Sequence, residues 1–424
     1  MGPTFTRDRG YSNRLDRQDE LADFRQRFVI ANPDLIYADG NSLGRLLRQT
    51  VERMRIAVEK EWGDDLIRGW NAGWYDAPAR VGDKIGKLIS AAPGQVIVSD
   101  STSVNLYKLT MAALAMRPGR TKIISDELNF PSDLYIMQGC IHQIGKRHRL
   151  HIVPSTDEIT TDTDLLYDAI DEDTALVSLS QVVFKSGFLY DAEAITRRAH
   201  EAGALVLWDL SHAVGAVPIE LDRWGVDFAV GCTYKYLNGG PGSPAFLYVR
   251  RDLQNQALSP IWGWFGQKLP FAFDPGYAPA DGIKRFLVGS PPTLSLLAME
   301  PAVELVIEAG IDRIRRKSVQ MTEYMIYLFD EILAPLDFSL GSPRESSRRG
   351  SHVSIRHNEG YRINRALIEE MKVLPDFREP DNIRLGLAPL YTSFEDVGIM
   401  VDRIRRVVDE KRYLHYPATR LPVT

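Results

Sequence analysis

The chain has 424 residues, of which 44% are hydrophobic and 25% charged, and its formal net charge is −5. This composition is typical of a soluble globular protein, and the length predicts two domains or one large domain with a smaller appendage. The negative net charge argues against a nucleic-acid partner. Two basic clusters, at residues 313–317 and 345–350, are expected to be solvated faces.

The N-terminus and the cysteines bear on where the protein works. The first 24 residues carry charges where a secretory signal needs an apolar core, and no later run approaches the ~18 apolar residues of a membrane span. The two cysteines, Cys140 and Cys232, show neither a CxxC spacing nor a disulfide framework. We therefore expect a cytoplasmic protein. No HExxH motif or His/Cys cluster occurs, so no metal site is predicted.

In chain order, six short apolar runs rich in β-branched residues predict buried strands. They are "QVIVSD" (95–100), "TKIISD" (121–126), "LHIVPS" (150–155), "TALVSLSQVVF" (174–184), "GALVLWD" (203–209) and "DFAVGCT" (227–233). Helical segments lie between them, such as residues 103–116 and 192–203. Strands that alternate with helices predict a mostly parallel sheet that is covered on both faces.

The pattern changes after about residue 300. Long amphipathic helices precede the alternating "SHVSIRH" (351–357) and a last helix at 394–412, which predicts a smaller C-terminal α+β domain. The N-terminal arm has no strong strand signal, and either domain is open to it as a packing partner. The predicted division is an arm at 1–44, a large domain at 45–300 and a small domain at 301–424.

Lys235 lies between two tyrosines at the end of the sixth predicted strand, just before a loop of glycine and proline. Asp209 ends the fifth strand, 26 residues earlier, and His212 follows it at the turn. The carboxyl ends of parallel strands share one edge of a sheet, so Lys235 and Asp209 can converge there. A buried carboxylate needs a partner, either a cation of the protein or a bound ligand.

Two further features lie at the same predicted edge. Ser101, Thr102 and Ser103 run directly into a helix, and hydroxyls at a helix N-terminus form an anion site, although an ordinary helix cap is the alternative. Phe130 and Asp133 follow the second predicted strand on what is, taken alone, a turn. An amine, a buried carboxylate, an anion site and an aromatic face together are what pyridoxal phosphate requires. The combination therefore predicts a pyridoxal-phosphate site.

At this point the chain resembles kynureninase, a family of fold-type-I pyridoxal-phosphate enzymes that hydrolyse L-kynurenine to anthranilate and L-alanine. The similarity covers nearly the whole chain, and its bacterial type is the nearer one. It implies an α/β fold with a large domain on a mostly parallel sheet of seven strands and a smaller C-terminal α+β domain. Eight blocks carry the resemblance in the same order: "DGNSLGRL" (39–46), "WGDDLIRGWNAGW" (62–74), "NFPSDLY" (129–135), "WDLSHAVGAVP" (208–218), "FAVGCTYKYLNGGPGSPAF" (228–246), "GWFG" (263–266), "GSPP" (289–292) and "FREPDNIRLGLAPLY" (377–391).

The resemblance implies a role for each matching residue. Lys235 would carry the cofactor as a Schiff base and then move protons as a free amine. Asp209 would hold the ring nitrogen, and Tyr234 would contact the phosphate and donate a proton, which makes these three the implied catalytic set. The other residues that the resemblance assigns to the cofactor are Thr102, Ser103, Phe130, Pro131, Ser132, Asp133, Ser180 and His212.

Trp264 and Ser290 match cofactor-site positions that the neighbouring subunit supplies in the family, so the resemblance implies a homodimer. Arg384 would bind the α-carboxylate of the substrate through its guanidinium fork, with a surface arginine as the alternative. Ser42 and Trp70 would line the aromatic end of the pocket, with simple packing as the alternative. Trp70 and Ser290 replace a histidine and an asparagine of animal members, which leaves the choice between kynurenine and 3-hydroxykynurenine open.

Two other functions share these features. Another fold-type-I enzyme, such as a cysteine desulfurase or a class V aminotransferase, has the same lysine, aspartate and histidine. A desulfurase needs a catalytic cysteine on a mobile loop, and neither Cys140 nor Cys232 is in such a loop. A catalytically silent cofactor-binding regulator is the third reading, and the intact Lys235, Asp209 and Arg384 argue against it.

Overall fold

The structure is a computed structural model that describes residues 5–145 and 147–419. The strands in these residues are β1 (Ile36–Tyr37), β2 (Val96–Val98), β3 (Lys122–Asp126), β4 (Arg149–Val153), β5 (Thr174–Ser180), β6 (Leu205–Asp209), β7 (Phe228–Gly231), β8 (Phe246–Val249), β9 (Ser339–Leu340), β10 (His352–Arg356), β11 (Val373–Leu374), β12 (Asp376–Arg378) and β13 (Asn382–Gly386). The α-helices are α1 (Arg9–Gln18), α2 (Arg48–Ile56), α3 (Ala77–Leu88), α4 (Thr102–Met116), α5 (Pro131–Gln143), α6 (Thr163–Ala169), α7 (Ala192–Glu201), α8 (Leu221–Trp224), α9 (Thr293–Ala309), α10 (Ile311–Leu328), α11 (Gly360–Glu370) and α12 (Phe394–Asp409).

The large sheet has seven strands in the order β2-β8-β7-β6-β5-β3-β4. The pairs from β4 through β3, β5 and β6 to β7 are parallel, whereas β8 is antiparallel to both β7 and β2. The predicted mostly parallel sheet is therefore confirmed. The sequence analysis missed β8, whose four apolar residues directly follow the glycine- and proline-rich loop.

Both faces of this sheet are buried, as the continuous apolar runs predict. Side chains alternate between the faces along each strand, so Val206 and Trp208 of β6 pack in one core with α3, α7 and α9. Leu205 and Leu207 point the other way, into a second core with α4 and α5. Each fully buried aliphatic side chain of this kind contributes about 1.5–3 kcal/mol to folding. The strand ends that carry polar residues are thereby held rigidly.

Strand β4 differs from its prediction as a buried strand. It lies at the edge of the sheet and pairs with β3 alone, so it lacks the second neighbour that covers the inner strands. Ile152 is 39% exposed and His151 is also exposed, while Val153 is buried. The apolar pattern of "LHIVPS" therefore predicted the strand correctly, but the predicted burial of that strand is wrong.

The C-terminal part folds around a four-stranded antiparallel sheet in the order β12-β13-β10-β9. Helices α10, α11 and α12 pack against it around a separate core that includes Met321, Ile383 and Val401. The predicted α+β character is confirmed. Helix α9 runs across residues 300 and 301 without a break, and the position of the domain boundary there stays a prediction.

The N-terminal arm packs on both domains: Leu21 and Phe28 join the core of the large sheet, and Ile36 joins that of the small domain. Strand β1 pairs in parallel with β11, and the carboxylate of Asp16 accepts hydrogen bonds from the backbone amides of Phe394 and Glu395 at 2.7 and 2.9 Å. These amides belong to the first turn of α12, whose unpaired N–H groups attract a negative charge. The arm then continues past Asn41 toward the carboxyl edge of the large sheet.

The two basic clusters are not simply solvated faces, so that expectation is wrong in part. Lys317 is 6% exposed, and its ammonium group forms an ion pair of 2.7 Å with Asp19. Arg349 is fully buried and donates to the backbone carbonyl of Pro343 at 2.7 Å and to the hydroxyl of Thr322 at 3.1 Å. Both cations are buried because specific acceptors replace the water that they lose.

Among the described residues, no helix is long and apolar enough to cross a membrane. The longest one, α10, has 18 residues, and six of them are charged. No group of His, Cys, Asp and Glu side chains in the described ranges is arranged to hold a metal ion.

Candidate active site

A cavity of about 280 Å³ lies at the carboxyl edge of the large sheet, where the small domain and the N-terminal arm close over it. This is the edge at which open α/β sheets bind their ligands. Eleven of the sixteen residues that the sequence assigned to the site line this cavity. They are Ser42, Thr102, Ser103, Phe130, Ser132, Asp133, Asp209, His212, Tyr234, Lys235 and Arg384.

Lys235 lies in the turn after β7, and its ammonium nitrogen faces the cavity. Its Nζ is 2.8 Å from Nε2 of His212 and 6.0 Å from the ring centre of Phe130. Gly44 of the N-terminal arm holds this turn, because its N–H donates to the carbonyl of Tyr234 at 2.7 Å. A Cβ at Gly44 would collide with the carbonyl of Lys235, so only glycine allows this approach.

Two carboxyl groups, those of Asp209 and Asp133, lie near the lysine. Asp209 is 5% exposed at the end of β6, and its Oδ1 accepts hydrogen bonds from the backbone N–H and the hydroxyl of Ser211 at 2.8 and 2.6 Å. Burial raises the pKa of Asp209, and the charge of Lys235 opposes this. Burial and the neighbouring Asp209 also raise the pKa of Asp133 well above its usual range. The two carboxyl groups therefore compete for one cation, and a ligand cation would relieve this competition.

Two buried histidines lie next to Lys235. Burial and the charge of Lys235 lower the pKa of His212 well below its usual value, so its ring is neutral at pH 7. His352 of β10 lies with its ring centre 5.8 Å from that of His212, and burial with the charge of Arg384 lowers its pKa to about 3. A neutral His212 adds no positive charge beside the two carboxyl groups.

The N-termini of two helices meet at the cavity. Ser101 caps α4 by accepting the N–H of Val104 at 3.4 Å, and Thr102 and Ser103 form the first turn, so the predicted cap is present. Ser103 and Ser132 share a hydrogen bond of 3.0 Å between their hydroxyls, which joins the first turn of α4 to that of α5. Free amides and hydroxyls at paired helix starts favour a phosphate group.

Arg384 reaches the cavity from β13 of the small domain and is 1% exposed. Its Nη1 donates to the backbone carbonyl of Phe184 at 2.7 Å, and its Nη2 donates to the hydroxyl of Ser42 at 2.9 Å and to the carboxylate of Asp376. The alternative of a surface arginine is thereby excluded. The arm, the large domain and the small domain all meet at this one guanidinium.

Five assigned residues lie outside the cavity wall. Ser180 stands opposite Asp209 in the register of β5 and β6, and Pro131 starts α5. Trp70 packs against Trp74 and Phe265, with ring centres 5.9 and 5.6 Å apart. Trp264 and Ser290 lie on the surface, Trp264 with 41% of its area exposed. The site roles of these five residues stay predictions.

Sequence reasoning missed several residues of the cavity wall. Phe184 contacts the ring of Phe130 edge-on at 5.2 Å, and Ser211 supplies the hydrogen bonds to Asp209. Arg378 lines the cavity from β12, although its block "FREPDNIR" was part of the resemblance. The only signal for Arg378 was its spacing of two residues from Asp376, which places both on one face of a strand.

Neither cysteine lines the cavity. Cys140 and Cys232 are both buried and unpaired, and burial raises the pKa of the Cys140 thiol to about 12 and also raises that of Cys232. A catalytic thiol needs exposure and a lowered pKa. The cysteine-desulfurase alternative therefore finds no nucleophile in the described residues.

Comparison with known proteins agrees with this arrangement. Residues 314–404 match the family model "Kynureninase C-terminal domain". The chain is 42% identical over 404 residues to the kynureninase of Pseudomonas fluorescens and 40% identical over 404 residues to that of Burkholderia pseudomallei (strain 1106a), covering 94% of this chain and 95% of each relative.

Solved structures show the same fold at lower identity. The apo cysteine desulfurase of Thermococcus onnurineus NA1 superposes with a TM-score of 0.78 at 18% identity, covering 92% of this chain and 98% of that one. A C-DES variant with glycine covalently linked to its PLP cofactor superposes with a TM-score of 0.78 at 18% identity, covering 90% and 98%. These likenesses establish the fold-type-I architecture of the pyridoxal-phosphate enzymes. With identities of 40–42% over 94% of its length, the chain belongs to the kynureninase family.

Proposed function

We propose that this protein hydrolyses L-kynurenine, or its 3-hydroxy derivative, to anthranilate, or 3-hydroxyanthranilate, and L-alanine with pyridoxal phosphate as cofactor. The observation that carries the proposal is the position of Lys235, whose amine lies in one cavity with Asp209, a pair of helix starts and Arg384. The family membership selects this reaction among those that the fold supports.

The residues present fit the cofactor. Oδ2 of Asp133 is buried without a hydrogen-bond partner among the described residues, and so is Nδ1 of His212. Buried polar atoms without partners are costly, so both favour a polar ligand in the cavity. Asp209 suits the ring nitrogen, the starts of α4 and α5 with Tyr234 suit the phosphate, and Phe130 offers a face for the ring.

Three side chains of this protein have separate roles in the proposed reaction. Pyridoxal phosphate, when bound, supplies an aldehyde that bonds to amines and a ring that withdraws electrons. Lys235 removes a proton from the α-carbon of the substrate, and Asp209 holds the proton on the ring nitrogen. Arg384 binds the α-carboxylate and so fixes which bonds of the substrate face Lys235.

Tyr234 is the proposed proton donor at the β-carbon. The nearby Cys232 and burial raise the pKa of Tyr234, so it holds its proton at neutral pH. In the overall reaction, water adds its hydroxyl to the γ-carbonyl carbon and a proton arrives at the β-carbon as the bond between these two carbons breaks. The products are the aromatic acid and L-alanine, and no atom is left over.

The direct experiment supplies the purified holoenzyme with L-kynurenine and, separately, with 3-hydroxy-L-kynurenine. We expect turnover of at least one, seen as fluorescence of the aromatic acid that forms, and the ratio of kcat/KM values settles which substrate is preferred. Absence of turnover of both would contradict the proposed function and favour an aminotransferase.

We also propose that the active unit is a homodimer in the cytoplasm. Two neighbouring segments, at 62–75 and 262–273, expose large apolar side chains next to each other, and they are joined by the contact of Tyr75 with Phe271. Ile67 is 75% and Phe273 is 74% exposed. An exposed apolar patch of this kind marks an interface, and Trp264 within it is the residue that the resemblance gives to the partner's site. The two free cysteines stay reduced in the cytoplasm.

Mixing two inactive variants tests the shared site. We expect Lys235→Ala and Trp264→Ala each to lose most activity, because one removes the amine and the other removes a group of the partner's cavity. Dimers formed by co-expressing both contain one site with both defects and one intact site, so about a quarter of wild-type activity returns in a random mixture. A mixture of Lys235→Ala with Asp209→Ala is the control and stays inactive, because both residues lie in the same chain's cavity. No recovery in the first mixture would contradict a shared site.

A further inference from the structure

Two arginines, not one, face the cavity from the small domain. Asp376 lies directly opposite Arg384 in the antiparallel register of β12 and β13, and Arg378 follows Asp376 by two residues on the same face. Directly opposed residues on neighbouring strands have side chains in contact. The short strand β12 therefore places a carboxylate and a second guanidinium beside Arg384, and both arginines line the cavity.

One oxygen of Asp376 holds the whole cluster together. Its Oδ2 pairs with Nη2 of Arg384, lies 3.0 Å from Nη2 of Arg378 and accepts the hydroxyl of Ser42 at 3.3 Å. Asp376 is 2% and Arg384 is 1% exposed, whereas the side chain of Arg378 is 41% exposed. Removing one partner from the buried Asp376–Arg384 pair leaves an uncompensated charge. The same carboxylate also holds Arg378, so it orients both guanidiniums.

At least one donor group of each arginine has no acceptor among the described residues. Nε of Arg384 and Nε of Arg378 are both buried and have no hydrogen-bond partner among the described residues. Within the described ranges, acceptors hold both Nη atoms of Arg384 but only Nη2 of Arg378. The remaining donors of two neighbouring guanidiniums suit the two oxygens of one carboxylate. Asp39 also lies against the cluster, and burial with the charge of Asp376 raises its pKa to about 6.

We propose that Arg378 is a second substrate-binding residue, which grips the α-carboxylate of the amino acid together with Arg384, and that Asp376 is the positioning residue that holds both guanidiniums. The inference rests on the proposed function in that it takes an amino acid as the ligand. The positioning of two guanidiniums explains why Asp376 is buried next to Arg384, although its carboxylate competes with that of the substrate for this arginine.

The test compares two ligands that differ only by a carboxylate. L-Alanine and ethylamine are titrated into the holoenzyme, and binding is followed by the absorption of the cofactor. Arg378→Gln and Asp376→Asn are expected to weaken L-alanine binding by about 10-fold or more, which is the usual effect of losing a charge-assisted hydrogen bond. Ethylamine binding is expected to stay within about a factor of two.

Arg356→Gln is the matched control. Arg356 lies on β10 of the same sheet and forms a comparable pair with Asp381 at 3.0 Å, but it does not line the cavity. Binding of both ligands to this variant is expected to be unchanged. Arg378→Lys keeps the charge but not the planar fork, and its affinity for L-alanine is expected to lie between those of wild type and Arg378→Gln.

Equal weakening of both ligands, or unchanged L-alanine binding in Arg378→Gln, would overturn the inference. If Asp376→Asn fails to fold, Arg378→Gln decides the question alone. A wild-type holoenzyme that prefers L-alanine to ethylamine but does not turn over L-kynurenine would refute the proposed function without refuting the carboxylate site. With L-kynurenine itself, Arg378→Gln is expected to raise KM by about 10-fold while kcat changes less than about threefold, as loss of uniform binding requires.

Discussion

Replacing Lys235 with alanine is expected to lower the turnover of L-kynurenine by at least about 10⁴-fold. The variant loses two functions at once, because the same amine bonds to the cofactor and moves protons at the α-carbon. The cavity itself should persist, since the turn around residue 235 is held by its backbone: the N–H of Asn238 donates to the carbonyl of Lys235 at 2.9 Å, and Gly44 donates to that of Tyr234.

Borohydride reduction tests whether Lys235 is the residue that bonds to the cofactor. Borohydride treatment of the wild-type holoenzyme is expected to attach the cofactor permanently to the peptide that contains Lys235 and to bleach the yellow absorption. The exposed Lys372, which pairs with Asp34 at 3.1 Å, supplies the control variant Lys372→Ala, whose turnover and labelling should match those of wild type. Labelling of any other lysine in the wild-type protein would refute the assignment.

Asp209→Asn is expected to lower kcat by about 10²- to 10³-fold, the usual effect of removing one electrostatic stabiliser from a closed site. The amide keeps the shape of the side chain and still accepts the hydrogen bonds from Ser211, but it cannot keep a proton on the ring nitrogen by its charge. We therefore expect the variant to fold and bind cofactor, with an altered absorption spectrum, while the proton transfers at the α-carbon become slow.

Asp227→Asn is the matched control for Asp209→Asn. Asp227 is 1% exposed and precedes β7 at the opposite end of the sheet, where it pairs with Arg250 at 3.1 Å and with His200 at 2.8 Å. Loss of this buried partner should lower the melting temperature without changing kcat of the folded enzyme. A kcat for Asp209→Asn within about threefold of wild type would mean that another group serves the ring nitrogen, and Asp133 would be the first to examine.

Much of this site could be predicted because its residues lie at strand ends. Asp209 and Lys235 each follow a buried apolar run, and parallel topology brings such positions to one edge. Ser101 was recognisable as a helix cap from its place before an apolar helix, and the structure shows that cap. These features depend on local pattern and on a general rule of topology, which a single sequence contains.

The features that the sequence did not predict depend on contacts between distant parts of the chain. Nothing local distinguishes the buried Lys317 from its solvated neighbours, because its partner, Asp19, lies in the N-terminal arm. In the sequence nothing distinguishes Arg378 from other charged residues, because only the pairing of β12 with β13 places it beside Arg384. The strand that contains Ile152 was predicted correctly, but its burial was not. The order of the strands places β4 at the edge of the sheet, and that order cannot be read from the local sequence.

Hydrolysis of L-kynurenine in water enriched in oxygen-18 tests the central claim most directly. The proposed reaction predicts anthranilate and L-alanine in equal amounts, with one heavy oxygen in the new carboxylate of anthranilate and none in L-alanine. The Lys235→Ala variant should form neither product. A product that retains the whole carbon skeleton of kynurenine, with no anthranilate formed, would contradict the account and assign the site to transamination.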